Sequence, residues 1–116
     1  MTMTEINDVR SRYDFLQALE SNDPVAVVFY GDDDDSGMLL RKIQVLADQY
    51  ADRVKFVSVN AMAADLLAAD WKMRPDLLPT VMLFINNHAV KTWGNEQNLE
   101  VYRNVLDAQL VHLWGA

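Results

Sequence analysis

Two uninterrupted apolar runs dominate the hydrophobic pattern of this chain. The first, Val25 to Tyr30, reads V-A-V-V-F-Y, and the second, Val81 to Ile85, reads V-M-L-F-I. Both are rich in β-branched and aromatic residues and are too short for typical helices, which favours strands buried on both faces. The pattern therefore predicts a sheet with these two strands at its centre.

The segments between these runs repeat their apolar residues at helical spacing. Ser11, followed three residues later by Asp14, resembles a capping box and predicts the start of a short first helix. Leu39, Ile43 and Leu46 predict a long second helix, since they recur at intervals of three and four residues. Further elements are predicted as a strand at Val54 to Val59, a helix at Ala61 to Trp71, and a helix carrying Leu99, Tyr102, Leu106 and Leu113.

The C-terminal half adds a hairpin to this plan. Asn86 and Asn87 tolerate positive φ, so they predict a tight turn between the second apolar run and a strand at Ala89 to Trp93. Asn95 is a predicted cap of the last helix. The stretch Lys72 to Leu78 contains Pro75 and is not expected to form a regular helix. The predicted class is α/β, with a mixed central sheet of four or five strands and helices on both faces.

Length and charge restrict the function classes. The 116 residues, 51% of them hydrophobic, suit one packed core, and we predict a single domain over 1–116. A net charge of -7 repels phosphate, so neither nucleic acid nor an anionic membrane is an expected partner. Met1 to Arg10 shows no signal-peptide pattern, and the apolar runs fall well short of the about 20 residues of a membrane span. We expect a cytoplasmic location.

The chain contains no cysteine. It can therefore form no disulfide, no thiolate nucleophile, no thiolate metal site and no dithiol redox couple.

A run of four aspartates, Asp32 to Asp35, stands where the first apolar strand gives way to the long helix. Carboxylates at a helix N-terminus accept otherwise unpaired N–H groups, so one interpretation is a solvated capping loop. A second is divalent-metal binding, because Asp32, Asp34, Ser36 and Gly37 match the start of a calcium-binding loop; that match fails at its twelfth position, Ile43. A third is an electrostatic recognition surface for a basic partner.

Several short segments of the sequence resemble segments of the thioredoxin family, and they occur in the same order along the chain. They are the strand P-V-A-V-V-F-Y from Pro24 to Tyr30, the segment L-A-D-Q-Y from Leu46 to Tyr50 with the strand after it, Leu78-Pro79-Thr80, Asn86-Asn87-His88, and Trp93-Gly94. The resemblance extends from about Ile6 to Leu110. It implies a thioredoxin-like fold in which Pro79 follows a cis peptide bond and Gly94 lies beside the site.

The resemblance breaks down at the residues that carry the family's chemistry. One alignment places Asp33-Asp34-Asp35-Ser36 at the family's Cys-x-x-Cys positions, and another places Asp34-Asp35-Ser36-Gly37 there. Val28 stands where the family has a buried acid that relays protons. The chain thus resembles a redox-inactive member of the fold.

The remaining aromatic and histidine residues give weaker signals. Trp71 closes an apolar helix and is predicted to be core, whereas Trp93 is equally suited to the core and to an interface. The Trp114 side chain either packs the C-terminal tail against the domain or is exposed for contact with a partner. His88 and His112 lack a second ligand at metal spacing and are predicted to be surface residues. Ser36 has no apparent base, so hydrolysis is not expected.

These observations predict a protein-binding module, acting as a chaperone or assembly factor, rather than an enzyme. In the fold that the chain resembles, the proline and glycine border a shallow groove that accepts extended peptide. The expected partner is a protein or an extended peptide client, with no cofactor, no metal and no catalytic residue. Its binding residues are predicted to be Asp33, Asp34, Asp35, Ser36, Leu78, Pro79, Thr80, Trp93 and Gly94. The alternatives are a divalent-metal-binding protein or enzyme using the acidic loop, or a structural subunit of a larger complex.

Overall fold

The computed structural model describes residues 6–114, apart from the side chain of the last of these. Strands and helices follow one another in the predicted order. They are β1 (Asn7–Asp8), α1 (Arg12–Leu19), β2 (Val25–Tyr30), α2 (Asp34–Tyr50), β3 (Lys55–Asn60), α3 (Asp65–Asp70), a 3-10 turn (Pro75–Leu77), β4 (Thr80–Ile85), β5 (His88–Gly94) and α4 (Leu99–Trp114).

The five strands form one mixed sheet in the order β1-β3-β2-β4-β5. Strands β1, β3 and β2 run parallel to one another, β4 runs antiparallel to β2, and β5 runs antiparallel to β4. The two apolar runs become β2 and β4, which lie side by side in the interior of the sheet and are buried along almost their whole length. The predicted mixed sheet with two central apolar strands is confirmed.

Helices cover both faces of this sheet, because successive strand residues point to opposite sides. On one face, Ala26 and Val28 of β2 pack with Leu39, Ile43 and Leu46 of α2 and with α4. On the other face, the alternate residues of β2 pack with α1 and α3. The α/β class predicted from the pattern is thereby confirmed, with the helices divided between the two faces.

Local hydrogen bonds set the starts of two helices, and the start of a third differs from the prediction. The Ser11 hydroxyl accepts the N–H of Asp14, which confirms the predicted start of α1. Helix α3 is shorter than predicted, because the Asn60 side chain accepts the N–H groups of Met62 and Ala63 and turns the chain before a helix begins. The predicted capping role of Asn95 is wrong, since this residue has φ 63° and lies four positions before α4.

The β4–β5 hairpin closes the sheet with the predicted asparagine turn. Asn86 and Asn87 have φ values of 51° and 68°, the left-handed conformation that two-residue hairpin turns require. The ladder then shifts register at Leu83 and Phe84, so Leu83 pairs with Lys91 and Phe84 with Ala89. Among the described residues, no helix is both long and apolar enough to cross a membrane.

Candidate functional site

The candidate site lies at the edge of the sheet where β2 ends and β4 begins. Phe29, near the end of β2, pairs with Thr80, and Thr80 pairs on its other side with Gly94. The loop after β2, the proline before β4 and the glycine at the end of β5 are therefore neighbours. The Leu78 Cδ1 atom lies 3.3 Å from the position that a Cβ on Gly31 would occupy, so the loop and the proline segment approach closely.

Asp33 is the residue that caps α2. Its carboxylate accepts the backbone N–H of Ser36 at 3.2 Å and the Ser36 hydroxyl at 2.6 Å. The hydrogen bond from the Ser36 hydroxyl is the main cause that lowers the pKa of Asp33 below its usual value, with partial desolvation opposing it. The capping interpretation of the acidic run is confirmed for this aspartate.

Ser36 is fully buried beneath the loop, although it was predicted to be a binding residue. Its hydroxyl donates to Asp33 and accepts the N–H of Gly31 at 3.0 Å. A partner cannot contact this side chain without opening the loop, so its predicted role in direct binding is wrong. The first turn of α2 turns Ser36 inward, because Asp33 is the N-cap and draws the N3 side chain toward itself.

The other three aspartates of the run, Asp32, Asp34 and Asp35, are exposed, and none forms an ion pair with a described residue. Within residues 6–114 no group of three acidic or histidine side chains could hold a metal ion. A calcium loop starting at Asp32 is not formed either, since the chain is helical from Asp34 onward. The geometry gives the metal hypothesis no set of ligands.

The proline segment is fixed by its own hydrogen bonds. The Leu78–Pro79 peptide bond is cis, as the family resemblance implied. The Thr80 hydroxyl donates to the Leu77 carbonyl, and the N–H of Asn95 donates to the Pro79 carbonyl at 2.9 Å. Pro79 and Thr80 are themselves buried, so they shape the site from below and offer no side-chain surface to a partner.

Trp93 belongs to the core, and the interface interpretation of its ring is wrong. Only 6% of the residue is exposed, and its ring packs edge-on against Tyr102 of α4 with centroids 5.2 Å apart. Trp93 pairs with Val81 and points to the α2 and α4 side of the sheet. Within the part of the chain that the structure describes, its indole N–H has no hydrogen-bond partner, and packing holds the ring.

The surface that remains accessible is smaller than the predicted set and includes one residue that the sequence analysis missed. Asp33, Asp34, Asp35 and Gly94 are exposed, and Leu78 is half-buried. Leu77, in the 3-10 turn before the proline, is 40% exposed. The sequence signal that could have identified Leu77 is an apolar residue in a segment that Pro75 keeps irregular. We call Asp32–Asp35 the acidic loop, and Leu77 and Leu78 the leucine wall.

An ion pair that the sequence analysis missed lies beside this surface. Lys42 of α2 donates to the Glu96 carboxylate and to the Gln97 carbonyl, in the segment between β5 and α4. It ties α2 to the chain just after Gly94, and both side chains are largely buried. Its members stand 54 positions apart, so no local pattern marks them.

The other residues considered in the sequence analysis lie away from the site or are buried in the core. Trp71 packs against Phe15 and Phe84, which confirms its core role, and His88 and His112 are exposed as predicted. Val28 is fully buried beneath α2, where it offers no titratable group. Trp114 ends α4, but its side chain lies outside the described part of the structure.

The comparison with solved structures identifies the fold. No family model matches the sequence, and neither does any curated protein. Among solved structures, a thioredoxin of Malassezia sympodialis superposes with a TM-score of 0.81 at 16% identity, over 93% of this chain and 94% of that one. A chain from a study of thiol resolution in yeast mitochondrial 1-Cys peroxiredoxin via glutathione/thioredoxin systems superposes with a TM-score of 0.79 at 18% identity, over 93% and 99%. The fold is thioredoxin-like, and the chain lacks the Cys-x-x-Cys motif because it has no cysteine.

Proposed function

We propose that this chain is a redox-inactive binding module that holds an extended segment of a client protein, as a small chaperone or assembly factor. The observation that carries the proposal is the pairing of the acidic loop with the leucine wall around a cis proline. An apolar wall beside concentrated negative charge suits a client segment that combines apolar and basic side chains.

The two parts of this surface have different roles in binding. Exposed charges act mainly on the rate of encounter and its dependence on salt. The leucine wall loses water only when the client is seated, so it acts mainly on the rate of dissociation. The buried residues Pro79, Thr80 and Trp93 shape the surface without touching the client.

A stopped-flow experiment with a synthetic peptide of alternating leucine and lysine tests the proposal. The triple variant Asp32→Asn, Asp34→Asn and Asp35→Asn leaves the capping Asp33 in place. We expect it to slow association about tenfold at low salt and to behave like the parent near 1 M salt, where screening acts within about 3 Å. Leu77→Ala should speed dissociation severalfold at every salt concentration.

A matched control removes the same charge from the opposite end of the sheet. Glu20, Asp23 and Asp52 precede the first residues of β2 and β3, so they lie far from the acidic loop. The variant Glu20→Gln, Asp23→Asn and Asp52→Asn should associate at nearly the parent rate. Equal slowing by both triple variants would mean that only net charge matters, and unchanged rates in the acidic-loop and Leu77 variants would reject this surface as the binding site.

A further inference from the structure

One compact hydrogen-bonded unit connects the two sides of the candidate site. The Ser36 hydroxyl joins the Asp33 carboxylate, at 2.6 Å, to the Gly31 backbone N–H, at 3.0 Å. Gly31 in turn lies against the leucine wall, since a Cβ added there would stand 3.3 Å from Leu78 Cδ1 and 3.4 Å from Asp33 Oδ1. Four residues from two segments thus meet at one point.

Both hydrogen bonds of this unit depend on a hydroxyl group that is shielded from water. Ser36 is fully buried, so its hydroxyl could not exchange these bonds for bonds to water without the loop opening. Its bond to Asp33 is charge-assisted and therefore among the stronger kinds. Opening the loop breaks the bond to Gly31 at the same time, because one oxygen atom makes both contacts.

We propose that Asp33 and Ser36 are positioning residues that form a permanent non-covalent clasp, which holds the acidic loop against the leucine wall whatever the redox conditions. A disulfide between the same two positions would open under reductant, whereas hydrogen bonds between a carboxylate and a hydroxyl do not respond to it. The clasp keeps the groove of the proposed function formed before a client binds. The proposal rests on the proposed function only for this consequence.

The clasp is testable without any client, by following amide hydrogen exchange with NMR. Ser36→Ala removes the hydroxyl but keeps the backbone cap, and we expect the Gly31 amide to exchange about tenfold faster. Asp33→Ala, at an exposed position, tests the same unit without altering a buried side chain and should have a similar effect. Asp34→Asn is the matched control, because the side chain of this exposed aspartate forms no hydrogen bond with Ser36 in the described structure and its substitution should leave the exchange of Gly31 unchanged.

The double variant Asp33→Ala with Ser36→Ala separates a clasp from two independent caps. If the residues act together, the Gly31 amide should exchange no faster in the double variant than in Ser36→Ala alone. The clasp would be overturned if the two single-variant increases in exchange rate multiplied in the double variant, or if neither single variant changed the rate. Asp33→Asn keeps an acceptor for the hydroxyl and should restore most of the protection lost in Asp33→Ala.

A second measurement uses the leucine and lysine peptide to separate the clasp from the proposed function. Ser36→Ala should bind the peptide severalfold more weakly than the parent does, because the loop beside the leucine wall is no longer held. If the Gly31 amide exchanges faster in Ser36→Ala while the affinity for the peptide stays at the parent value, the clasp does not position the groove. If the parent shows no affinity for the peptide although the exchange results hold, the proposed function fails and the clasp stands.

Discussion

The two sides of the candidate site differ in how they are held. On one side, Pro79 and Thr80 are buried, and Thr80 pairs with Phe29 of β2 and with Gly94 of β5, the residue that follows the core residue Trp93. On the other side, Asp32, Asp34 and Asp35 are exposed at the start of α2, where the Asp33 carboxylate accepts hydrogen bonds from the backbone N–H and the hydroxyl of Ser36. One side is fixed by the sheet and the other by a local hydrogen-bonded unit.

This difference explains which parts of the thioredoxin-like plan the chain retains. Changing the proline side disturbs packing across β4, β5 and α4, so its substitution is costly. The loop side needs only a helix cap and an inward-facing third residue, and Asp33 with Ser36 meets both needs without a thiol. The chemistry of a site on this fold can therefore be lost while its shape remains.

The largest expected effect falls on the proline side. We expect Trp93→Ala to lower the free energy of unfolding by about 3–5 kcal/mol, because it empties a buried ring site against Tyr102. Trp93→Phe should cost much less, since the lost indole N–H has no hydrogen-bond partner among the described residues. Urea denaturation measures both. A Trp93→Ala variant as stable as the parent would show that this side does not depend on the core.

The fold was predictable because its signals are redundant. The apolar runs that became β2 and β4 cannot be exposed on either face, and the spacing of Leu39, Ile43 and Leu46 allows only one buried face of α2. Errors occurred where one side-chain hydrogen bond decides the outcome. Hydrogen bonds to the Asn60 side chain shift the start of α3 toward the C-terminus, and no pattern in the sequence predicts this shift.

The candidate site was predictable in position but not in exposure. The order of its segments along the sheet follows from topology, which makes the loop after β2, the segment before β4 and Gly94 neighbours. Which side chains face inward depends on strand pairing: Trp93 lies on an edge strand, yet it pairs with Val81 and faces α4. Ser36 points inward for a local reason, its bond to Asp33.

A smaller effect tests the register of the loop side. We expect Asp33→Cys with Ser36→Cys to form an intramolecular disulfide readily, because these two side chains already touch. The closed form should be about 2 kcal/mol more stable than the reduced form, given the short loop. Asp34→Cys with Gly37→Cys represents the other alignment and should close less readily. Thiol titration under air and urea denaturation measure the two pairs, and preferential closure of the second pair would reject the Asp33 and Ser36 register.

The smallest expected effect is on the pH dependence of stability. It tests whether ionisation of Asp33 contributes to the free energy of unfolding. The Ser36 hydroxyl lowers the pKa of Asp33, so its contribution is complete above the ordinary carboxyl value of 3.8 and is lost as pH falls through the lowered folded value. The stability difference between the parent and Asp33→Asn should therefore be constant near neutrality and shrink below about pH 4. Urea midpoints at several pH values measure it, with Asp34→Asn as the control that should show no such trend. If the Asp33→Asn difference stayed constant down to pH 3, the carboxylate of Asp33 would make no ionisation-dependent contribution, and the loop side would be held by the Ser36 hydroxyl and the backbone alone.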